Sequence, residues 1–145
     1  MTYTYRNWTA QDITALHQLN ADFGDVNWSL DFCQTALTAK HFVRVACYKN
    51  KIIAFIMVNL FSETAEIYDL VVDAKHREHG VALELLDLSA AAARSKACIA
   101  LQLECRKSNV PAQNLYMKYG FFITNEVAKL YRSPSEDAIV LRKEL

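Results

Sequence analysis

The stretch Ile67-Tyr68-Asp69-Leu70-Val71-Val72-Asp73-Ala74-Lys75-His76-Arg77-Glu78-His79-Gly80-Val81-Ala82 passes from an apolar strand, through a polar turn, into the longest helical pattern of the chain. Val81 to Ala97 carries Leu85, Leu88 and Ala92 at helical spacing, and its alanines are strong helix formers. The start of a helix has unpaired N–H groups and the positive end of the helix dipole, so it attracts anions. Gly80 lets the backbone approach a bulky phosphate, and the small Ala82 keeps the approach open. A glycine that merely eases a tight turn gives the same pattern. A P-loop is excluded, because no Lys-Ser or Lys-Thr pair follows the glycine. A dinucleotide turn is disfavoured, because two of its three glycines are missing.

Working outward, Thr4 to Trp8 reads as a first strand, and Thr9 with Asp12 as the start of a helix through Ile13, Leu16 and Leu19. A second helix starts at Ser29, with Asp31 in its first turn. Phe42 to Tyr48 and Ile52 to Phe61 read as strands joined by a hairpin turn, and Ala65 to Val72 as a third long strand. Beyond the long helix, Ile99 to Cys105 alternates like a strand, and Ala112 to Tyr119 is a short helix stopped by Gly120. Ala138 to Leu141 supplies a last strand, with room for another around Phe121 to Val127. The expected fold is mixed α/β (α+β), one domain over residues 1–145, with a mostly antiparallel central sheet flanked by helices.

The composition narrows the function. A chain of 145 residues, 52% hydrophobic and 22% charged, has enough apolar material for one core. Its apolar runs are too short to span a bilayer, and its first residues lack a signal-peptide layout, so a cytoplasmic protein is expected. Sixteen basic and sixteen acidic residues cancel, which argues against a general nucleic-acid binder. The four cysteines have no paired spacing, and His76 and His79 flank a turn without a carboxylate or cysteine cluster. Neither a disulfide framework nor a metal site is expected, and the two histidines read as solvated loop residues.

Arg77-x-x-Gly80-x-Ala82 after Leu70-Val71-Val72-Asp73 resembles the coenzyme A signature of the GNAT acetyltransferase superfamily. Asn109 followed by Leu115-Tyr116-Met117-Lys118-Tyr119-Gly120-Phe121 resembles its second motif. Leu103-Glu104-Cys105-Arg106-Lys107-Ser108-Asn109 is most similar to the Leu-Glu-Val-Arg-x-Ser-Asn segment of the bacterial ribosomal-protein-alanine N-acetyltransferases, the RimI family. That likeness runs from Trp28-Ser29 to Glu136-Asp137-Ala138-Ile139. It implies acetyl-CoA as the acyl donor and the N-terminal alanine of a ribosomal protein as the acceptor. It also implies a general base at Glu104 and a general acid at Tyr116. The implied coenzyme contacts are Leu70, Val71, Val72, Arg77, Glu78, His79, Gly80, Val81, Ala82, Leu83 and Asn109. The segment Val127 to Pro134 departs from the family's Arg-Arg-Asn-Tyr-Tyr-Pro stretch and keeps only Tyr131 and a nearby proline.

The reaction calls for such residues. An ammonium has no lone pair with which to attack a thioester, so a base must take its proton. A free α-amine titrates near 7.7–8.0 against about 10.4 for lysine, so freeing it is easier by roughly 3 kcal/mol. A carboxylate at Glu104 suits that task if partial burial raises its pKa. Backbone N–H groups near Val71 and Val72 would polarise the thioester carbonyl, and Tyr116 would protonate the departing thiolate. Each residue has another reading: Glu104 as a partner of Arg106, Tyr116 as a packing ring, Asn109 as a helix cap, Arg77 as a surface charge. A small amine or a lysine side chain as acceptor, and a noncatalytic coenzyme A-binding module, are the alternative functions.

Overall fold

The computed structural model describes all 145 residues. Strand β1 (Thr4–Asn7) leads through a short 3-10 turn into α1 (Ile13–Phe23) and α2 (Leu30–Thr38). Strands β2 (Phe42–Tyr48), β3 (Lys51–Asn59) and β4 (Thr64–Val72) follow. Then come α3 (Val81–Ser95), β5 (Ala100–Arg106), α4 (Val110–Tyr119), β6 (Phe122–Tyr131) and β7 (Glu136–Glu144). All strands join one sheet in the order β1-β2-β3-β4-β5-β7-β6, and only the β4–β5 pair is parallel. The expected mixed fold with a mostly antiparallel sheet is therefore observed.

Local chemistry sets the element boundaries. Ser29 accepts the Phe32 N–H at 3.0 Å and starts α2 where its capping pattern predicts. The α4 helix begins at Val110, two residues earlier than expected, because Pro111 sits in the first turn, where its missing N–H costs nothing. The β3 strand stops at Asn59 rather than Phe61, since the Asn59 side chain accepts the Phe61 N–H at 2.9 Å and turns the chain. The additional strand around Phe121 to Val127 exists as β6 and extends to Tyr131. The β7 strand is longer than its apolar stretch Ala138 to Leu141, because it pairs with β5 from Ala138 to Glu144.

Both faces of the sheet are covered, which explains the continuous apolar run of β3. Ala54, Ile56 and Val58 pack under Leu85, Leu86, Ala90 and Ala93 of α3. Phe55 and Met57 pack on the other side against Leu16 and Leu19 of α1 and Cys33 and Ala36 of α2. In β4 a register shift places Ile67 opposite Val58 and Asp69 opposite Met57, leaving Tyr68 as the extra residue. This bulge reverses the strand's faces: Ile67 joins the α3 core and Val71 the α1–α2 core, although they share parity. The β4 and β5 strands pair only from Thr64↔Ala100 to Glu66↔Gln102 and then diverge, opening a wedge through the sheet.

Candidate active site

The wedge exposes one edge of β4. The amide of Asp73 donates to Ile53 O at 2.8 Å, so by antiparallel alternation Val71 also bonds to β3, whereas Leu70 and Val72 face the wedge. The side-chain contacts agree: the Leu70 N–H donates to Asp69 Oδ1 at 2.9 Å, and Arg77 Nε donates to Val72 O at 3.2 Å. The backbone donor left free there is thus that of Val72: the Leu70 amide is taken by Asp69, and alternation turns the expected Val71 amide into the sheet.

An open groove of about 780 Å³ runs from this edge to the start of α3. Gly80 has φ +81°, and a Cβ built on it meets nothing within 4 Å. The first helical bond is Glu84 N–H to Gly80 O at 3.1 Å, which leaves the amides of Val81, Ala82 and Leu83 without intrahelical partners. An exposed strand edge at one end and a helix N-terminus at the other suit an elongated ligand with an anionic end. Ten of the eleven expected coenzyme contacts line this groove; His79 does not, and its ring lies 6.3 Å from that of Tyr3. His76 lines the groove instead. It is half-buried rather than solvated, because it shares a 2.9 Å hydrogen bond with the Tyr3 hydroxyl.

A second, small cavity of about 50 Å³ shares Leu70 and Tyr116 with the groove and is also lined by Asp25, Asp69 and Glu104. Tyr116 is buried where the two cavities meet. Burial, and next the nearby Asp69, hold its phenol well above the ordinary value, so it stays protonated. Glu104 lines the small cavity but is exposed, without the partial burial expected of it. Nor is it the partner of Arg106, whose carboxylate contact is Glu136 at 3.4 Å. Asn109 caps α4, its Oδ1 accepting the Ala112 N–H at 3.3 Å, and it also lines the groove. Its Nδ2 donates to Asp25 at 3.2 Å.

The two carboxylates that sequence reasoning missed are Asp25 and Asp69. Asp25 lies in the α1–α2 connection, where nothing local marks it. Asp69 had a signal: it is an acidic residue inside an apolar strand. Burial, and next the charge of Asp25, raise its pKa from 3.8 to about 7, while bonds from Leu70 and Asn20 oppose the shift. Cys105 contributes no nucleophile, because burial pushes its thiol up to about 12.

Arg106 holds the two rims of the small cavity together. Its Nε donates to Asp25 O at 3.1 Å, and its terminal nitrogens donate to Pro134 O at 2.9 Å and Arg132 O at 3.1 Å. Its guanidinium lies 4.7 Å from the centre of the Tyr131 ring. Hydrogen bonds to charged groups contribute about 1.5–3 kcal/mol, so Arg106→Ala is expected to cost about 2–3 kcal/mol. Thermal denaturation should show Tm lowered by roughly 5–10 °C. The acceptor KM should rise while acetyl-donor binding is spared.

A splayed sheet with an open helix N-terminus beside a carboxylate-lined cavity has the layout an acyltransferase needs. The Acetyltransferase (GNAT) family profile matches residues 6–121, and the chain belongs to that family. It is 36% identical over 81 residues to a streptothricin acetyltransferase of Escherichia coli, covering 52% of this chain but only 47% of that protein. It is 29% identical over 111 residues to the [ribosomal protein bS18]-alanine N-acetyltransferase of Haemophilus ducreyi, covering 77% of each. Among solved structures, a GNAT family acetyltransferase from Elizabethkingia anophelis with acetyl-CoA bound superposes with TM-score 0.83 at 25% identity. That superposition covers 99% of this chain and 98% of the other. No helix is long and apolar enough to cross a membrane.

Proposed function

We propose that the protein transfers acetyl from acetyl-CoA to the N-terminal α-amine of a protein, as its similarity to the bS18-alanine enzyme suggests, with a ribosomal protein beginning in alanine as the acceptor. The groove fits the donor: the helix N-terminus at Gly80 to Leu83 takes the pyrophosphate, with Arg77, Glu78 and Asn109 lining the way. The edge of β4 from Leu70 to Val72 takes the amide-bearing arm and the thioester carbonyl, with the Val72 N–H as its free donor. The observation that carries the acceptor reading is the size and lining of the adjoining cavity. About 50 Å³ among three carboxylates admits an ammonium and a small side chain, while the rest of a peptide stays outside. The cavity carboxylates, Glu104 among them, draw in the ammonium, one of them takes its proton, and Tyr116 protonates the leaving sulfur. Such an acceptor places the enzyme in the cytoplasm.

The three carboxylates and the likeness to a streptothricin acetyltransferase favour a second acceptor class, a small polycationic amine. Thiol release from acetyl-CoA, followed with peptides beginning in alanine, serine or leucine and with streptothricin and spermidine, separates the two. Acetylation of the alanine peptide at its α-amine, with leucine disfavoured, is the expected outcome. Transfer to the small amines but to no peptide overturns the N-terminal reading and leaves the donor site untouched.

A further inference from the structure

Asp69 is built into the wall of the small cavity more firmly than the carboxylate on β5. The bulge at Tyr68 turns its side chain toward α1, where Asn20 is only 1% exposed. Asn20 Oδ1 accepts the Trp28 N–H at 2.7 Å, which fixes the amide orientation and aims Nδ2 at Asp69 Oδ2, 2.8 Å away. The other oxygen, Oδ1, takes the Leu70 N–H at 2.9 Å. Each carboxylate oxygen keeps a further lone pair for a ligand. Neither bond is to a cation, and no lysine, arginine or histidine lines the small cavity. The ionisable groups around Asp69 include Asp25 from the α1–α2 connection, the adjacent Tyr68, Glu104 and Cys105 on β5, Tyr116 on α4 and Tyr131 on β6. Strand β3 presents Met57 opposite it. The guanidinium of Arg106 adds a cation at the rim, bonded to Asp25 O at 3.1 Å and 4.7 Å from the centre of the Tyr131 ring. The lining itself is anionic or neutral and suits a proton acceptor in a partly desolvated site.

We propose that Asp69, rather than Glu104, is the general base that takes the proton of the acceptor ammonium, with Asn20 as its positioning residue and Glu104 guiding the amine in from the exposed side. This assignment rests on the acyl-transfer reading above. One ammonium proton passes to an Asp69 oxygen, and the nitrogen's freed lone pair bonds to the acetyl carbonyl carbon. The carbon–sulfur bond breaks, and the sulfur leaves with a proton from Tyr116. The nitrogen's second surplus proton restores Tyr116, and Asp69 releases its own to water. A base titrating near 7 is matched to an amine titrating at about 7.7–8.0, so transfer between them is nearly balanced.

The test is the pH dependence of kcat/KM in the wild type, Asp69→Asn and Glu104→Gln, on whichever amine the wild type acetylates, so that a wrong acceptor does not touch the result. The wild type should show a bell with its acid limb near 7. Asp69→Asn should lose on the order of 10²-fold in kcat/KM at neutral pH, lose that limb, and rise through about pH 8 as free amine appears. Its acetyl-CoA affinity should be unchanged, and Glu104→Gln should keep the limb. If Asp69→Asn keeps the limb, or Glu104→Gln abolishes it, the assignment fails. A carbon-13 NMR titration of the wild-type carboxyl needs neither turnover nor a folded variant: titration near 7 supports the base, and a value in the ordinary carboxylate range overturns it. Stability gives an independent reading. The folded value is raised from 3.8, so the native state binds more protons than the unfolded state between there and about 7, and stability falls as pH rises through that window. Asp69→Asn should remove that decline.

Discussion

Replacing Tyr116 by Phe is expected to lower kcat by roughly 10³-fold, within the range of general acid catalysis, while acetyl-CoA binding changes little. The ring is buried, and its edge-to-face contact with Phe121, at 5.7 Å between centroids, survives the loss of the hydroxyl. The fold should therefore hold, and Tm should stay within a few degrees. What disappears is the hydroxyl at the place where the groove meets the small cavity. Burial and Asp69 keep that phenol protonated throughout the working range, so the wild-type rate should show no alkaline limb belonging to it below pH 10. Steady-state kinetics with a fluorescent thiol trap, beside calorimetric titration with acetyl-CoA, measures the two quantities separately. A Phe variant with unchanged kcat would reduce Tyr116 to a packing residue.

The second large effect is on donor binding: Gly80→Trp should weaken acetyl-CoA at least 10²-fold. The backbone there has φ +81°, which costs any other residue about 1–2 kcal/mol, and the indole would project into the groove over the first amides of α3. Gly80→Ala is the instructive contrast. Its Cβ meets nothing within 4 Å, so it carries the conformational cost without the obstruction. Calorimetry should find Ala only a few-fold weaker than the wild type. If Trp binds the coenzyme as well as glycine does, the helix N-terminus is not where the pyrophosphate sits.

The groove at the start of α3 was legible in the sequence because its geometry is local. Gly80, Ala82 and the amides of α3 are consecutive residues whose conformation follows from a strand, a turn and a helix start. Asn109 was legible for the same reason, since a helix cap announces itself. The small carboxylate-lined cavity is assembled across long separations. Asp25 is reached through Asn109, and its carbonyl is held by Arg106, more than eighty residues away. No period or propensity encodes that meeting. The bulge at Tyr68 is a further reason: strand alternation from Ile67 puts Asp69 on the α3 face, and the extra residue turns it to the α1 face, where Asn20 holds it. Glu104 shows the converse failure, because its place in a motif is visible but its exposure depends on how far β5 swings from β4. His79 likewise sits inside the right motif yet turns toward Tyr3, a contact with the first strand that turn chemistry does not specify.

The wedge also has a mechanical meaning. Its closed end is only three residue pairs long, Thr64–Ala100, Ala65–Leu101 and Glu66–Gln102, but it is stiffened by side chains. Arg142 reaches Thr64 Oγ1 at 3.1 Å, Gln102 reaches Glu66 at 3.0 Å, and the Ile99 N–H bonds to Glu63 O at 2.8 Å. The open end is braced by the guanidinium of Arg106, across the strand from that pivot. Pinned at the vertex and tied near the tips, the two half-sheets are set like the jaws of a caliper, with their spacing held by these contacts.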